Sequence, residues 1–308
     1  MFGAPLMFEG ASTLVIGHGL IGAAVADRLR TMGRPVTTVS RGSAGVDHLT
    51  CDLSEPGGLA SLRVQVRRAR PRRVVLTHGP SDVTWIERHE AAAEAVHRGG
   101  AELLAELGLP TVLISTDNVF PGDRGARIPA HPVQPGNAYG RVKAAAERAL
   151  LAAGHGLVLR VSLVYGWSGT EHRASYGQRC LESALRNDVL RAPTDQSFTP
   201  VHIDDVARVV AALCQAPRLP VGVAHLSGPD ELTRYDFATT AYRLAGADPG
   251  LVRPCLRRET EWASRPRYSS LVCDDFGAVP GLTGWRPMSP DDGLRSMLAN
   301  RARLGGVP

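Results

Sequence analysis

Thr13-Leu14-Val15-Ile16-Gly17-His18-Gly19-Leu20-Ile21-Gly22 decides how this chain folds. An apolar run meets glycines at 17, 19 and 22, and an amphipathic stretch, Leu20–Met32, follows. That order reads as a strand, a tight turn and the opening of a helix. Each glycine has its own reason: Gly17 permits the turn, Gly19 lets backbone approach a pyrophosphate, and Gly22 lets the helix pack on the strand. The helix N-terminus then offers N–H donors and a partial positive charge to phosphate oxygens. The spacing therefore predicts dinucleotide binding, with Gly17, His18, Gly19, Leu20, Ile21 and Gly22 against the cofactor.

Outward from this turn, short apolar runs alternate with amphipathic segments, the pattern of βαβ units. Strands are predicted at Thr13–Gly17, Val36–Ser40, Arg73–Thr77, Thr111–Ser115 and Leu157–Val161, with a short one near Val46–Cys51. Helices are predicted at Leu20–Met32, Gly57–Ala69, Asp82–Leu107 and Asn137–Ala153. Most of these strands lack polar alternation, as in a parallel sheet covered on both faces. Beyond Tyr165 a helix near Arg173–Arg186, a loop at Ala192–Pro200, a helix at Ile203–Gln215, a strand at Val223–Ser227, a helix at Arg234–Ala245 and a Pro/Arg-rich tail are expected. The fold class is α/β, a Rossmann-type doubly wound parallel sheet with a smaller C-terminal α/β substrate domain. Residues 1–166 form the dinucleotide-binding domain, with 198–227 returning to it. Residues 167–197 and 228–308 form the substrate-binding domain.

The end of the second strand selects the cofactor. An NAD site places an acid there to hold the ribose hydroxyls, but the chain reads Val39-Ser40-Arg41-Gly42-Ser43. A hydroxyl followed by a guanidinium suits the 2′-phosphate of NADP(H). Asp52 and Leu53 are expected beside the adenine, and Thr77, His78 and Gly79 at the crevice where the next strand ends. Of the scattered histidines His18, His78, His131 and His202, only His18 and His78 are placed to border the cofactor.

Lysine occurs once in the chain, at position 143, four residues after Tyr139, although lysine and arginine total 35. On a helix this spacing puts phenol and ammonium on one face. A nearby cation favours phenolate and brings the tyrosine towards working pH. The pair is acid–base machinery for a carbonyl or alcohol oxygen.

Composition narrows the rest. The 308 residues, 44% hydrophobic, can bury a large core. Five widely spaced cysteines give neither a disulfide framework nor a zinc site, and no metal is expected. Met1–Gly10 does not read as a signal peptide, and no run is apolar enough to span a membrane, so a cytoplasmic location is expected. Net charge is +5, yet the arginines are scattered and aromatic content is 5%, which argues against nucleic acid and for anionic small molecules. The densest group, Arg67, Arg68, Arg70, Arg72 and Arg73, spans a helix end and the turn before a strand, where cations suit the helix dipole.

Four ordered motifs carry a resemblance. They are Ser115-Thr-Asp-Asn-Val-Phe-Pro-Gly122, Asn137-Ala-Tyr-Gly-Arg-Val-Lys143, Leu159-Arg-Val-Ser-Leu-Val-Tyr-Gly166 and Phe198-Thr-Pro-Val-His-Ile-Asp-Asp-Val-Ala207, with Arg265-Pro266 beyond. The chain resembles the extended short-chain dehydrogenase/reductase family, in its sugar-nucleotide reductase subgroup. The resemblance implies hydride transfer between NADPH and the carbonyl of a nucleotide-linked 4-keto-6-deoxy sugar. Tyr139 would protonate the alkoxide, and Lys143 would lower the tyrosine pKa and bind the nicotinamide ribose. Thr116 would hold the substrate oxygen, with Ser115 the alternative and also a cofactor contact. Ser162 would face the carboxamide, and Asn118 and Arg265 would touch substrate. Asn118 replaces an aromatic residue of that subgroup, so a sugar-stacking contact is lost. Two other readings stay open: a non-catalytic binding module resembling the regulatory subunit of methionine adenosyltransferase, and an NAD-dependent nucleotide-sugar epimerase or dehydratase. The expected partners are a small-molecule substrate, with neither nucleic acid nor membrane, and a homodimer is the assembly to look for.

Overall fold

The structure, a computed structural model, describes residues 12–42, 47–168 and 173–303. Met1–Gly10, Ser43 and Val46, read above, lie outside the described residues. In the first half the chain forms β1 (Thr13–Ile16), α1 (Leu20–Thr31), β2 (Val36–Ser40), β3 (His48–Thr50), α2 (Gly58–Ala69), β4 (Arg73–Leu76), α3 (Val83–Ile86), α4 (Glu90–Glu106), β5 (Thr111–Thr116), α5 (Ala138–Ala152) and β6 (Gly156–Val161). There follow β7 (Val164–Tyr165), α6 (Tyr176–Leu185), β8 (Leu190–Pro193), β9 (Ser197–Phe198), β10 (Val201–His202), α7 (Ile203–Gln215), β11 (Gly222–Leu226), β12 (Leu232–Thr233), α8 (Arg234–Leu244), β13 (Val252–Cys255) and α9 (Pro290–Arg303).

Seven strands make one sheet in the order β11-β6-β5-β4-β1-β2-β3, with every pairing parallel. After β3 the chain returns to the other side of β1, so strand order reverses between β1 and β4. Ligands of open α/β sheets bind outside the strand C-termini at such a switch point. Both faces are covered, which is why the strands read as continuous apolar runs. Val25 and Leu29 of α1 pack with Val206 and Val210 of α7 on one face. Leu62 of α2, Leu104 of α4 and Leu150 of α5 cover the other. A third core, rich in aromatic residues, gathers Tyr165, Tyr176, Phe198, Phe237, Tyr242 and Trp262 under α6, α8 and α9.

Three expectations are corrected. The single helix over Asp82–Leu107 is two, because His89 leaves helical geometry at φ −135° and ψ 38°. Asp82 caps α3 through Thr84 N at 2.9 Å, while Glu87 turns away to accept from Ala138 N at 2.9 Å, at the start of α5. The expected loop Ala192–Pro200 holds the end of β8 and all of β9, which pair with β13 and β12; Pro193 closes β8, and Pro200 lies between β9 and β10. The Pro/Arg-rich tail contains β13 and α9. The latter starts with Pro290 in its first turn, behind Ser289, whose hydroxyl accepts from Asp292 N at 3.2 Å.

The arginine group serves helix ends. Arg67 and Arg68 occupy the last turn of α2, while Arg73 donates to the carbonyls of Ala216 and Pro217 at 3.2 and 3.3 Å, just past α7. No helix among the described residues is long and apolar enough to cross a membrane.

One buried ion pair fastens α5 to the sheet. Arg160 on β6 donates to Glu147 on α5 at 2.7 Å, and both side chains are 3% exposed. Ser115 on β5 donates to the same carboxylate, and the guanidinium lies 5.1 Å from the Phe120 ring centre. Removing one partner leaves an uncompensated buried charge, which costs about 3–5 kcal/mol. Glu147→Ala should therefore lose that much in urea unfolding. A loss below about 1 kcal/mol would show that α5 is held by its apolar face alone.

Candidate active site

A cleft of about 1540 Å³ opens along the C-terminal ends of the strands. At its floor Gly17 takes φ +101°, and a Cβ there would meet Thr77 Oγ1 and His78 N at 2.6 Å. At Gly22 a Cβ would stand 1.9 Å from the Gly17 carbonyl oxygen, so only glycine lets α1 lie this close to the turn. Gly19 faces nothing within 4 Å in the direction of a Cβ. It caps α1 without a side-chain hydrogen bond, and no acid occupies the first turn. The result is a cradle of backbone donors with room for phosphate, and it fits the expected dinucleotide. Leu20 and Ile21 line the cleft and pack against the core behind it.

Ser40, Arg41, Asp52 and Leu53 all line one end of the cleft. Arg41 is exposed, and its charge adds to the Ser54 hydrogen bonds that hold Asp52 below the usual carboxylate range. Thr77 also lines the cleft, but its hydroxyl donates to the Gly17 carbonyl at 3.0 Å, so it braces the turn. His78 donates through Nε2 to the Val96 carbonyl at 2.8 Å, and burial lowers its pKa to about 4. It is a neutral ring with a buried, unpartnered Nδ1.

Thr116, Tyr139 and Lys143 all line the cleft, from β5 and α5. Asn137 caps α5 by accepting from Gly140 N at 2.7 Å, and its amide donates to Asn118 Oδ1 at 2.8 Å. Asn118 in turn donates to Thr116 Oγ1 at 3.1 Å and Asp117 Oδ1 at 2.7 Å. A chain of amides thus ties the start of α5, which carries Tyr139, to Thr116, whose own hydroxyl donates to Asp117 Oδ1 at 3.0 Å. Asn118, expected against substrate, lends its amide to that network instead. Ser115 turns its hydroxyl to Glu147, and so away from the role offered as Thr116's alternative. Ser162 lines the cleft, but it donates to Asp117 at 3.2 Å and accepts from Thr199 N at 3.2 Å. Its hydroxyl thus anchors a buried carboxylate.

The expected effect of Lys143 on Tyr139 is absent from this geometry. Burial pushes Tyr139 up to about 12, and Asp117 adds to the rise against the pull of Arg265 and the Thr116 hydroxyl. Lys143 donates to the Ile114 carbonyl at 2.7 Å, and burial lowers its own pKa to about 8 against the pull of Glu147. At neutral pH the phenol holds its proton and the ammonium its charge.

Across the cleft stand four arginines. Arg173 and Arg179 are paired with Asp82 at 3.3 Å and Glu261 at 2.6 Å, whereas Arg234 and Arg265 form no ion pair among the described residues. Arg234 is 4% exposed, lies 4.5 Å from the ring centres of Tyr176 and Trp262, and donates to Gln196 at 2.6 Å. Arg265 keeps a buried Nη1 without a partner, and burial, with Arg234 nearby, lowers its pKa to about 9. A buried guanidinium and a half-buried one, neither in an ion pair among the described residues, leave positive charge facing the cleft, where an anion offsets it.

Of the other histidines, His18 lines the cleft, His131 accepts from Ile128 N at 3.2 Å in a turn, and His202 accepts from Asp204 N at 3.2 Å at the start of α7. Sequence reasoning missed Arg234, Trp262, His97 and His48. The first two sit in segments without a motif. His97 lines the cleft from α4, where it donates to the Pro80 carbonyl at 2.9 Å and stands 5.6 Å from His78. No group of three or more metal-ligating side chains exists among the described residues.

Residues 12–298 match the family described as RmlD substrate binding domain. A Streptomyces antibioticus protein named as a probable dTDP-4,6-dihydroxy-2-methyloxan-3-one 4-ketoreductase is 34% identical over 284 residues, covering 87% of this chain and 89% of that protein. A Streptomyces griseus dTDP-4-dehydrorhamnose reductase is 32% identical over 290 residues, covering 89% of this chain and 90% of the relative. The structure of dTDP-4-dehydrorhamnose reductase from Bacillus anthracis, in complex with NADP, superimposes with a TM-score of 0.78 at 20% identity, over 94% of this chain and 99% of that one. That likeness extends the parallel sheet and its switch point to the whole fold. The chain belongs to the RmlD substrate-binding family, within the extended short-chain dehydrogenases/reductases.

Proposed function

We propose that this protein is an NADPH-dependent ketoreductase acting on a dTDP-linked 4-keto-6-deoxy sugar. The observation that carries the reading is that Thr116, Tyr139 and Lys143 line the same cleft as the open glycine cradle. The relatives reported above are named for that chemistry. Ser40 and Arg41, at the end of β2, favour the phosphate-bearing cofactor over NAD.

Gly17, Gly19 and the N-terminus of α1 would hold the pyrophosphate, with Arg41 and Ser40 at the 2′-phosphate and Lys143 at the nicotinamide ribose. Bound NADPH supplies the hydride. Tyr139 holds the proton that the product alcohol needs, because its raised pKa keeps the phenol protonated at neutral pH. Thr116 orients the carbonyl oxygen towards the phenol. Lys143 is cationic at neutral pH, and its ammonium would serve the cofactor ribose. Arg234 and Arg265 face the diphosphate that links sugar to nucleoside, two anionic groups against two uncompensated cations.

Tyr139→Phe removes the proton donor while keeping the ring. It should bind NADPH normally and lose about 10²-fold or more in single-turnover oxidation of NADPH by a dTDP-4-keto-6-deoxyhexose. Near wild-type turnover in Tyr139→Phe would remove Tyr139 from the proton-donor role, and a wild type that binds NADPH without turnover would return the protein to the binding-module reading. A second check is pH. The Lys143 charge is present below about pH 8 and is lost as pH rises through that value, so kcat/KM should fall on the alkaline side with an apparent pKa near 8. In Lys143→Arg the rate should be low and this limb absent, because arginine stays charged. An unchanged limb in the variant would assign the titration elsewhere. Arg265→Ala should raise KM for the sugar nucleotide roughly tenfold and leave NADPH affinity unaltered. Equal loss for both ligands would place Arg265 outside the substrate subsite.

A further inference from the structure

We infer that His48 sets the preference for the phosphate-bearing cofactor by holding Ser40 and Arg41 in place. The inference rests on the NADPH reading and concerns a residue without a motif. β3 pairs with β2 so that His48 stands opposite Thr38 and Thr50 opposite Ser40. From that position one imidazole reaches along the end of β2. Its Nδ1 lies 2.8 Å from Thr38 Oγ1, and its Nε2 lies 2.6 Å from the Gly42 carbonyl oxygen and 3.3 Å from Ser40 Oγ.

The proton follows from the partners. A carbonyl oxygen only accepts, so at 2.6 Å the hydrogen sits on Nε2. In the neutral ring Nδ1 then accepts from the Thr38 hydroxyl. His48 therefore anchors Gly42 to the buried part of β2, where Thr38 is fully buried. Between these two anchors lie Ser40 and Arg41. The Ser40 hydroxyl donates to the same carbonyl at 3.2 Å, which leaves its lone pairs directed elsewhere. Arg41 forms no ion pair among the described residues, and its exposed side chain takes its direction from the backbone that His48 holds. The His18 ring, on the phosphate turn, stands 6.0 Å from the His48 ring at 72°. His48 thus lies between the pyrophosphate cradle and the end of β2, where the two cofactors differ.

If His48 only supported the fold, its loss would weaken NADPH and NADH alike. If it positions the phosphate contacts, NADPH suffers selectively. The two ring nitrogens can be tested apart: glutamine reaches the place of Nε2, and asparagine only that of Nδ1. Affinities of the full chain for NADPH and for NADH are measured by calorimetry for wild type, His48→Gln and His48→Asn. The wild type should prefer NADPH. In His48→Asn the preference should shrink roughly tenfold, with NADH affinity changed less than about twofold, and His48→Gln should keep most of it. Thr38→Val, which keeps the side-chain volume but releases Nδ1, should reduce the preference in the same direction, and it decides the matter where the asparagine variant does not fold. A preference intact in both His48→Asn and Thr38→Val, or parallel loss for the two cofactors, would overturn the inference. A wild type without preference would overturn the NADPH reading itself.

Discussion

Everything at the cleft depends on how closely α1 approaches β1. The contact is between the Gly22 backbone and the Gly17 carbonyl, and it leaves no room for a side chain. Because of it the first helix points its N-terminus into the gap that strand reversal opens between β1 and β4. Thr77 reinforces the turn from β4 by donating to the Gly17 carbonyl. The same geometry places the ends of β2, β4 and β5 around one space. Phosphate donors, a proton donor and a cation can then act on one bound molecule although they are far apart in the chain.

Charge is distributed unevenly around that space. The Glu147–Arg160 pair behind α5 is complete, with each ion hydrogen-bonded and buried. On the cleft side, Lys143 has a backbone carbonyl for its partner, Asp117 is surrounded by hydroxyls and an amide, and Arg234 and Arg265 form no ion pair among the described residues. Burial accordingly raises Asp117 and Tyr139 and lowers Lys143 and Arg265. The complete pair contributes rigidity, and the incomplete groups keep free energy available for a ligand that brings the missing charge. The division of labour within Ser115-Thr116-Asp117-Asn118 follows from this. Ser115 faces the complete pair and Thr116 faces the cleft, because successive strand residues point to opposite faces.

Much of the fold was legible because parallel strands and amphipathic helices leave strong periodic signals. Val36–Ser40 and Ile203–Gln215 form at the bounds that the sequence predicts. The glycine turn was legible because each glycine answers a separate steric demand. Short strands such as β8 and β13 were not, since a four-residue strand whose partner lies some sixty residues away has no local period. The break at His89 escaped because Glu87 is drawn to α5, a tertiary contact. In the site, Tyr139 and Lys143 were found from their spacing, the rarity of lysine and the motif around them. Their electrostatics were not, because the direction of the Lys143 side chain and the burial of the phenol belong to packing. Arg234, Trp262 and His48 become visible only when folding brings their segments beside the motifs.

The most direct measurement follows the hydride itself. NADPH carrying deuterium on the transferred position of the nicotinamide is incubated with the protein and a dTDP-4-keto-6-deoxyhexose, and the sugar nucleotide is weighed by mass spectrometry. Direct transfer predicts an alcohol product that carries deuterium at C4, formed at the rate at which the cofactor is oxidised. Cofactor bound without oxidation, or an unlabelled product, would contradict a reductase built on Tyr139 and the glycine cradle.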